Sequence, residues 1–135
     1  MSVVVVGYVP NPRGRAALGH ALLEAHRRDA LLVVVNSSRG DALVDTEFLR
    51  GDPLRELHDE LAASGVRTEV RQPVRGRDIS EELAEVCTET GAELLVIGLK
   101  KRSAVGKLLM GSAAQRILLD VDCPVLGVKT PPAEG

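Results

Sequence analysis

The residues whose types and spacing carry the most chemistry run from Gly98 to Ser112, Gly-Leu-Lys-Lys-Arg-Ser-Ala-Val-Gly-Lys-Leu-Leu-Met-Gly-Ser. An apolar run, Leu94-Leu95-Val96-Ile97, precedes them, and a helical pattern begins at Ser112. A glycine-rich loop between a strand and a helix N-terminus exposes backbone N–H groups, which suit phosphate oxygens. With Ser112 in the first helical turn, the N–H groups of Ser112, Ala113 and Ala114 would point at the anion along the helix dipole. Charge agrees with this. No acidic residue lies between Glu93 and Asp120, whereas Lys100, Lys101, Arg102, Lys107 and Arg116 are cationic. A run this short is often just a solvated loop. In a chain with 17 basic and 19 acidic residues, however, such local clustering favours an anionic partner.

The elements that must hold this loop are legible as alternating strands and helices. Val3 to Val6 and Leu31 to Val35 are continuous β-branched or aliphatic runs, the pattern of strands covered on both faces. Between them Asn11 can cap a helix with Pro12 at its first position, and Leu18, Ala21, Leu22 and Ala25 recur at helical spacing. His20 and His26 fall on that helix with no ligand-spaced partner and read as surface residues. After Asn36-Ser37-Ser38 comes a long mixed segment, expected to form a surface flap or to be partly helical. Asp52-Pro53 then opens a second helix, with Leu54, Leu57 and Leu61 inward and Gly65 as its terminator.

Val66 to Val74 alternates apolar and charged residues and reads as an edge strand. Asp78 and Glu81 have capping-box spacing for a third helix that buries Ile79, Leu83, Val86 and Cys87, with Cys87 a small core residue rather than a nucleophile. Glu93 to Ile97 is the fourth strand, Ser112 to Leu119 the fourth helix and Pro124 to Val128 the fifth strand. The whole predicts one α/β domain over residues 1–130: a doubly wound, five-stranded parallel sheet in the order 3-2-1-4-5, with helices on both faces. Residues 131–135 have no pattern and are expected to fray. In that order the winding reverses between strands one and four, so a ligand belongs at their C-terminal ends, Gly7-Tyr8-Val9 and the Gly98 loop.

Composition excludes several classes. A net charge of −2 argues against nucleic-acid binding. No apolar run reaches membrane-spanning length, and the opening residues lead into a strand rather than a signal peptide, so a cytoplasmic location is expected. Two cysteines, Cys87 and Cys123, are too few for a disulfide framework and suggest no structural metal. A receiver-type phosphoacceptor would need carboxylates at the ends of the first two strands, where the chain has Gly-Tyr-Val and Asn-Ser-Ser. No general base falls near the loop, so dedicated catalysis is not expected; slow ATP hydrolysis is the most the residues would support.

The chain resembles the universal stress protein family in its nucleotide-binding branch. The family motif is Gly, two residues, Gly, nine residues, then Gly followed by Ser or Thr; Gly98 and Gly111-Ser112 match it, and Gln115-Arg116-Ile117 and Asp122-Cys123-Pro124-Val125-Leu126 look like the family's helix and last strand. Two positions depart: Lys101 stands where the second glycine is expected, and Val9 where many members have aspartate. The resemblance implies an adenine nucleotide, ATP or AMP, with Mg²⁺ as a further ion. Phosphates would lie on the motif with Lys100, Lys101 and Arg102 beside it, and adenine and ribose on Gly7, Tyr8, Val9, Asn36 and Ser37. It also implies a stress-response or regulatory role, and a homodimer through the last strand, residues 124–129. The alternative is a dimeric interaction module of the same family with a vestigial pocket.

Overall fold

A computed structural model describes residues 1–36, 48–73, 78–100 and 112–130, the side chains of Lys100 and Ser112 excepted. The expectations for Ser37 and the flap, for Lys101 to Gly111 and for the tail lie outside those residues. The elements are β1 (Val3–Gly7), α1 (Pro12–Arg28), β2 (Leu31–Val35), α2 (Gly51–Ala63), β3 (Thr68–Arg71), α3 (Ile79–Thr90), β4 (Leu94–Lys100), α4 (Ser112–Asp120) and β5 (Val125–Thr130). The five strands form one sheet in the order β3-β2-β1-β4-β5. Every pairing is parallel, with β1 central between β2 and β4. Fold class, strand order and the edge position of β3 are those the sequence predicts.

Strand residues alternate between two apolar layers. Val4, Val6, Leu32, Val34 and Val96 pack under α1 and α2 with Leu18, Ala21, Leu57 and Leu61. Val3, Val5, Val33, Leu95 and Ile97 pack under α3 and α4 with Leu83, Val86, Cys87 and Ile117. Helices therefore cover both faces. With a single Tyr and a single Phe, the packing is almost wholly aliphatic.

Several boundaries differ from the sequence reading, each for a local reason. Asn11 caps α1 as expected, its side chain accepting from the Gly14 N–H at 2.9 Å. Asp52 is not a cap: α2 begins at Gly51, two residues earlier than expected, and Asp52 accepts from Arg55 at 2.9 Å. The Asp78–Glu81 capping box does not form. The Asp78 side chain makes no cap bond and instead pairs with Arg116 of α4. β3 is shorter than expected, because the Ser64 hydroxyl takes the Val66 N–H at the end of α2. Both β4 and β5 run further than expected. They pair through Gly98–Val128 and on to Lys100–Thr130, so Gly98 is a strand residue rather than the start of a loop.

Candidate functional site

A cleft of about 170 Å³ opens at the C-terminal ends of β1 and β4, where the winding reverses. Gly7, Tyr8 and Val9 form one side and Ile97 and Gly98 the other. The first turn of α1 closes the cleft from above with Asn11, Arg13 and Gly14. Ile79 and Leu83 of α3, with Ile117 of α4, supply an apolar wall. An apolar wall opposite a helix N-terminus offers a flat aromatic group and an anion different surfaces of one crevice.

Two glycines set how closely the parts approach. A Cβ on Gly14 would overlap the Val9 carbonyl oxygen and lie 2.7 Å from the Val9 nitrogen. One on Gly98 would overlap the Arg13 carbonyl oxygen and lie 2.8 Å from the carbonyl carbon. The first turn of α1 thus rests directly on the β1 turn and on β4. The sequence reading placed Gly98 at the start of a phosphate-facing loop. In the fold its missing side chain first admits the α1 backbone, which positions Arg13 beside it, 3.1 Å from where that Cβ would lie to the Arg13 Cβ. Arg13 is exposed at the rim and adds a cation that sequence reasoning passed over.

Asn36 directly follows β2, where the resemblance implies a contact to adenine or ribose. It is fully buried, and its amide ties three segments together behind the cleft. Nδ2 donates to the Tyr8 carbonyl at 3.0 Å; Oδ1 accepts from the Leu49 N–H at 2.8 Å and from Gln72 Nε2 at 3.1 Å. The backbone on either side is held as well, by Tyr8 N–H to Val35 and Asn36 N–H to Arg71, both at 2.9 Å. Tyr8 turns its ring into the core, where its hydroxyl accepts from Arg15 at 3.1 Å. Arg15 in turn grips Glu60 with two bonds of 3.0 Å. These contacts, Tyr8 first and then Glu60, hold the Arg15 guanidinium charged well above its ordinary range. Tyr8 therefore offers the cleft its backbone, while its ring and hydroxyl anchor α1 to α2.

Of the residues named from sequence, Gly7, Tyr8, Val9 and Gly98 converge on the cleft. Lys100 ends β4 and Ser112 begins α4, with Ala113 exposed and Ala114 half-buried in its first turn. Ser37, Lys101, Arg102 and Gly111 lie outside the described residues. Sequence reasoning missed Asn11, Arg13 and Gly14 as lining, although a helix starting five residues after β1 has to begin at the switch point. It read Ile79 and Leu83 as core alone and named Ile117 only within the run that looks like the family's helix. Among the described residues no three of His, Cys, Asp and Glu gather to hold a metal ion. No helix among them is long and apolar enough to cross a membrane.

The fold and cleft define a doubly wound α/β protein with a switch-point crevice roofed by a helix N-terminus. The model of the universal stress protein family matches residues 1–129, and the chain belongs to that family. It is 50% identical to a universal stress protein of Mycolicibacterium smegmatis over 127 residues, covering 94% of this chain and 97% of that one. A universal stress protein structure from Archaeoglobus fulgidus aligns with TM-score 0.76 at 28% identity, over 96% of this chain and 98% of its own. Another universal stress protein, solved in complex with cAMP, aligns with TM-score 0.68 at 25% identity, over 96% and 97%.

Proposed function

We propose that this protein binds an adenine nucleotide at the β1–β4 cleft and acts as a stress-response or regulatory protein through that binding. The observation that carries the proposal is the convergence of the Gly98 end of β4, the N-terminus of α1 and an apolar wall on one crevice. The relative solved with cAMP supports adenine as the base. ATP or AMP, with Mg²⁺ accompanying a triphosphate, would lay its phosphates toward the Gly98–Ser112 motif and the start of α4. The adenine would lie toward the Gly7-Tyr8-Val9 turn and the wall of Ile79 and Leu83. The chain's own residues bind and orient in this reading; no bond-breaking step is assigned to them. Mass spectrometry of the small molecules released when purified protein is denatured tests it directly. An adenine nucleotide at near one per chain is expected, and protein that carries none and takes up none refutes the reading.

The second reading, an interaction module with a vestigial pocket, draws its support from Lys101 and Val9, which replace the family's glycine and aspartate. Both readings include a homodimer through residues 124–129. β5 is the sheet edge, with Val125, Leu126 and Gly127 only half-buried, and an open apolar edge invites a second chain. Leu119 of α4 is 83% exposed, a further apolar surface of the chain. Light scattering at micromolar concentration should give twice the monomer mass. A strictly monomeric protein would contradict this.

A further inference from the structure

The cleft does not use the two cysteines, and the fold brings them together. Cys87 lies in the last turn of α3, its carbonyl accepting from the Ala92 N–H at 3.0 Å as the chain turns into β4. Cys123 precedes β5, and the next residue, Pro124, accepts from the Leu95 N–H at 3.0 Å. Both cysteines therefore stand at the N-terminal ends of β4 and β5, the opposite end of the sheet from the cleft. Their side chains share one apolar cluster with Val121, Val125 and Leu95. Cys87 is buried within it, while Cys123 is half-exposed at its margin. Burial, and after it the facing Cys123 thiol, push the Cys87 thiol up to about 12.

We propose that Cys87 and Cys123 form a dithiol pair that a hydroperoxide converts to an intramolecular disulfide, a covalent modification site remote from the nucleotide cleft. Exposure assigns the order. The Cys123 sulfur, reachable from solvent, attacks the peroxide oxygen as thiolate; the O–O bond breaks, water or alcohol leaves, and Cys123 becomes a sulfenic acid. The Cys87 sulfur then gives up its proton and attacks the Cys123 sulfur, and the sulfenic oxygen leaves as a second water. Two thiols lose two electrons and two protons in all, and one peroxide is reduced. Cys87 suits the second step and not the first, because a buried, protonated thiol is a poor nucleophile toward a solvent oxidant. It becomes effective only when the electrophilic sulfur is its packed neighbour. The product would tie the end of α3 to the entry of β5, and disulfide reductants would reverse it.

The test uses the full chain, reduced and then freed of reductant. Hydrogen peroxide is added under native conditions and quenched, and the protein is denatured in an excess of maleimide for intact-mass and peptide analysis. The expected product has lost two hydrogens, carries no maleimide and yields one linked peptide pair containing Cys87 and Cys123. Dithiothreitol should restore two alkylatable thiols, and the oxidised form should melt at a higher temperature than the reduced one. Cys87→Ala should halt at a Cys123 sulfenic acid that dimedone traps; Cys123→Ala should leave Cys87 alkylatable after denaturation. The wild-type mass decides the matter even if a variant folds poorly. Sulfinic or sulfonic acid on Cys123 with Cys87 still alkylatable would overturn the proposal, as would a disulfide found only between two chains.

Discussion

Gly98→Ala separates the packing role of this glycine from any contact it makes with phosphate. The added Cβ would overlap the Arg13 carbonyl oxygen, 2.8 Å from the carbonyl carbon and 3.1 Å from the Arg13 Cβ. Two of these atoms are backbone in the first turn of α1. That turn cannot back away cheaply, because Gly14 is already seated on Val9 and Asn11 caps the turn. Overpacking of this kind costs up to about 3 kcal/mol. Replacing glycine also removes unfolded-state entropy, which offsets it by about 1 kcal/mol. The net loss is about 2 kcal/mol, a fall of roughly 6–10 °C in the melting midpoint for a chain of this size. Gly127→Ala is the control, since its Cβ would meet only side-chain atoms, Leu99 Cδ1 at 2.6 Å and Cγ at 3.3 Å. A rotamer shift there should hold the cost to about 1 kcal/mol or less. Both variants are melted without nucleotide by calorimetry or circular dichroism. An unchanged midpoint in Gly98→Ala, with only nucleotide affinity reduced, would refute the packing argument.

Asn36→Ala should cost about 2–4 kcal/mol, because the Tyr8 carbonyl, the Leu49 N–H and Gln72 lose a buried partner together; a denaturant titration reads this, and a small loss would show that the segments hold without the amide. Arg13→Ala should leave the melting midpoint near wild type while weakening nucleotide by about 0.5–1 kcal/mol, an effect that salt reduces and that titration at two ionic strengths measures. Lys101→Gly should weaken ATP more than AMP, since only the outer phosphates lie far enough along the motif for the long side chain. A gain in ATP affinity would show instead that the lysine plugs the site and would favour the interaction-module reading. Lowering pH through the carboxylate range should erode stability in part at Glu93. Its carboxyl is held below its ordinary range by the Ser2 hydrogen bond and then by Arg28, so that contribution is present at neutral pH and lost on protonation. Glu93→Gln should flatten that part of the pH–stability curve.

What the sequence made legible was whatever is written locally. Val3 to Val6 and Leu31 to Val35 have no polar face, so they had to be interior strands, and Asn11-Pro12 announced the start of α1 through its own side chain. From those and the alternation of elements, the strand order and the switch point followed. Contacts between distant residues were not legible. Asp78 has an acidic residue at capping-box spacing, yet Arg116 of another helix takes its carboxylate. Asn36 was placed at the ligand by the resemblance alone, and its hydrogen bonds to Tyr8, Leu49 and Gln72, residues of three other segments, left no local sign in the sequence. Gly98 looked like a loop opener because glycine usually breaks a strand, whereas here β5 pairs across it and α1 occupies the space. Cys87 and Cys123 gave no sign of meeting, since only the return of β5 alongside β4 brings them together.

The central claim is that the β1–β4 cleft takes an adenine nucleotide. Its most direct test is calorimetric titration of the nucleotide-free protein with ATP, AMP and cAMP, and with adenosine as the phosphate-free comparison. The account predicts saturable binding of one nucleotide per chain in the micromolar range, weaker binding of adenosine, and loss of affinity in Gly98→Ala at temperatures where that variant is still folded. No saturable heat from any of the three nucleotides up to millimolar concentration, from protein shown to be folded and free of bound ligand, would contradict it.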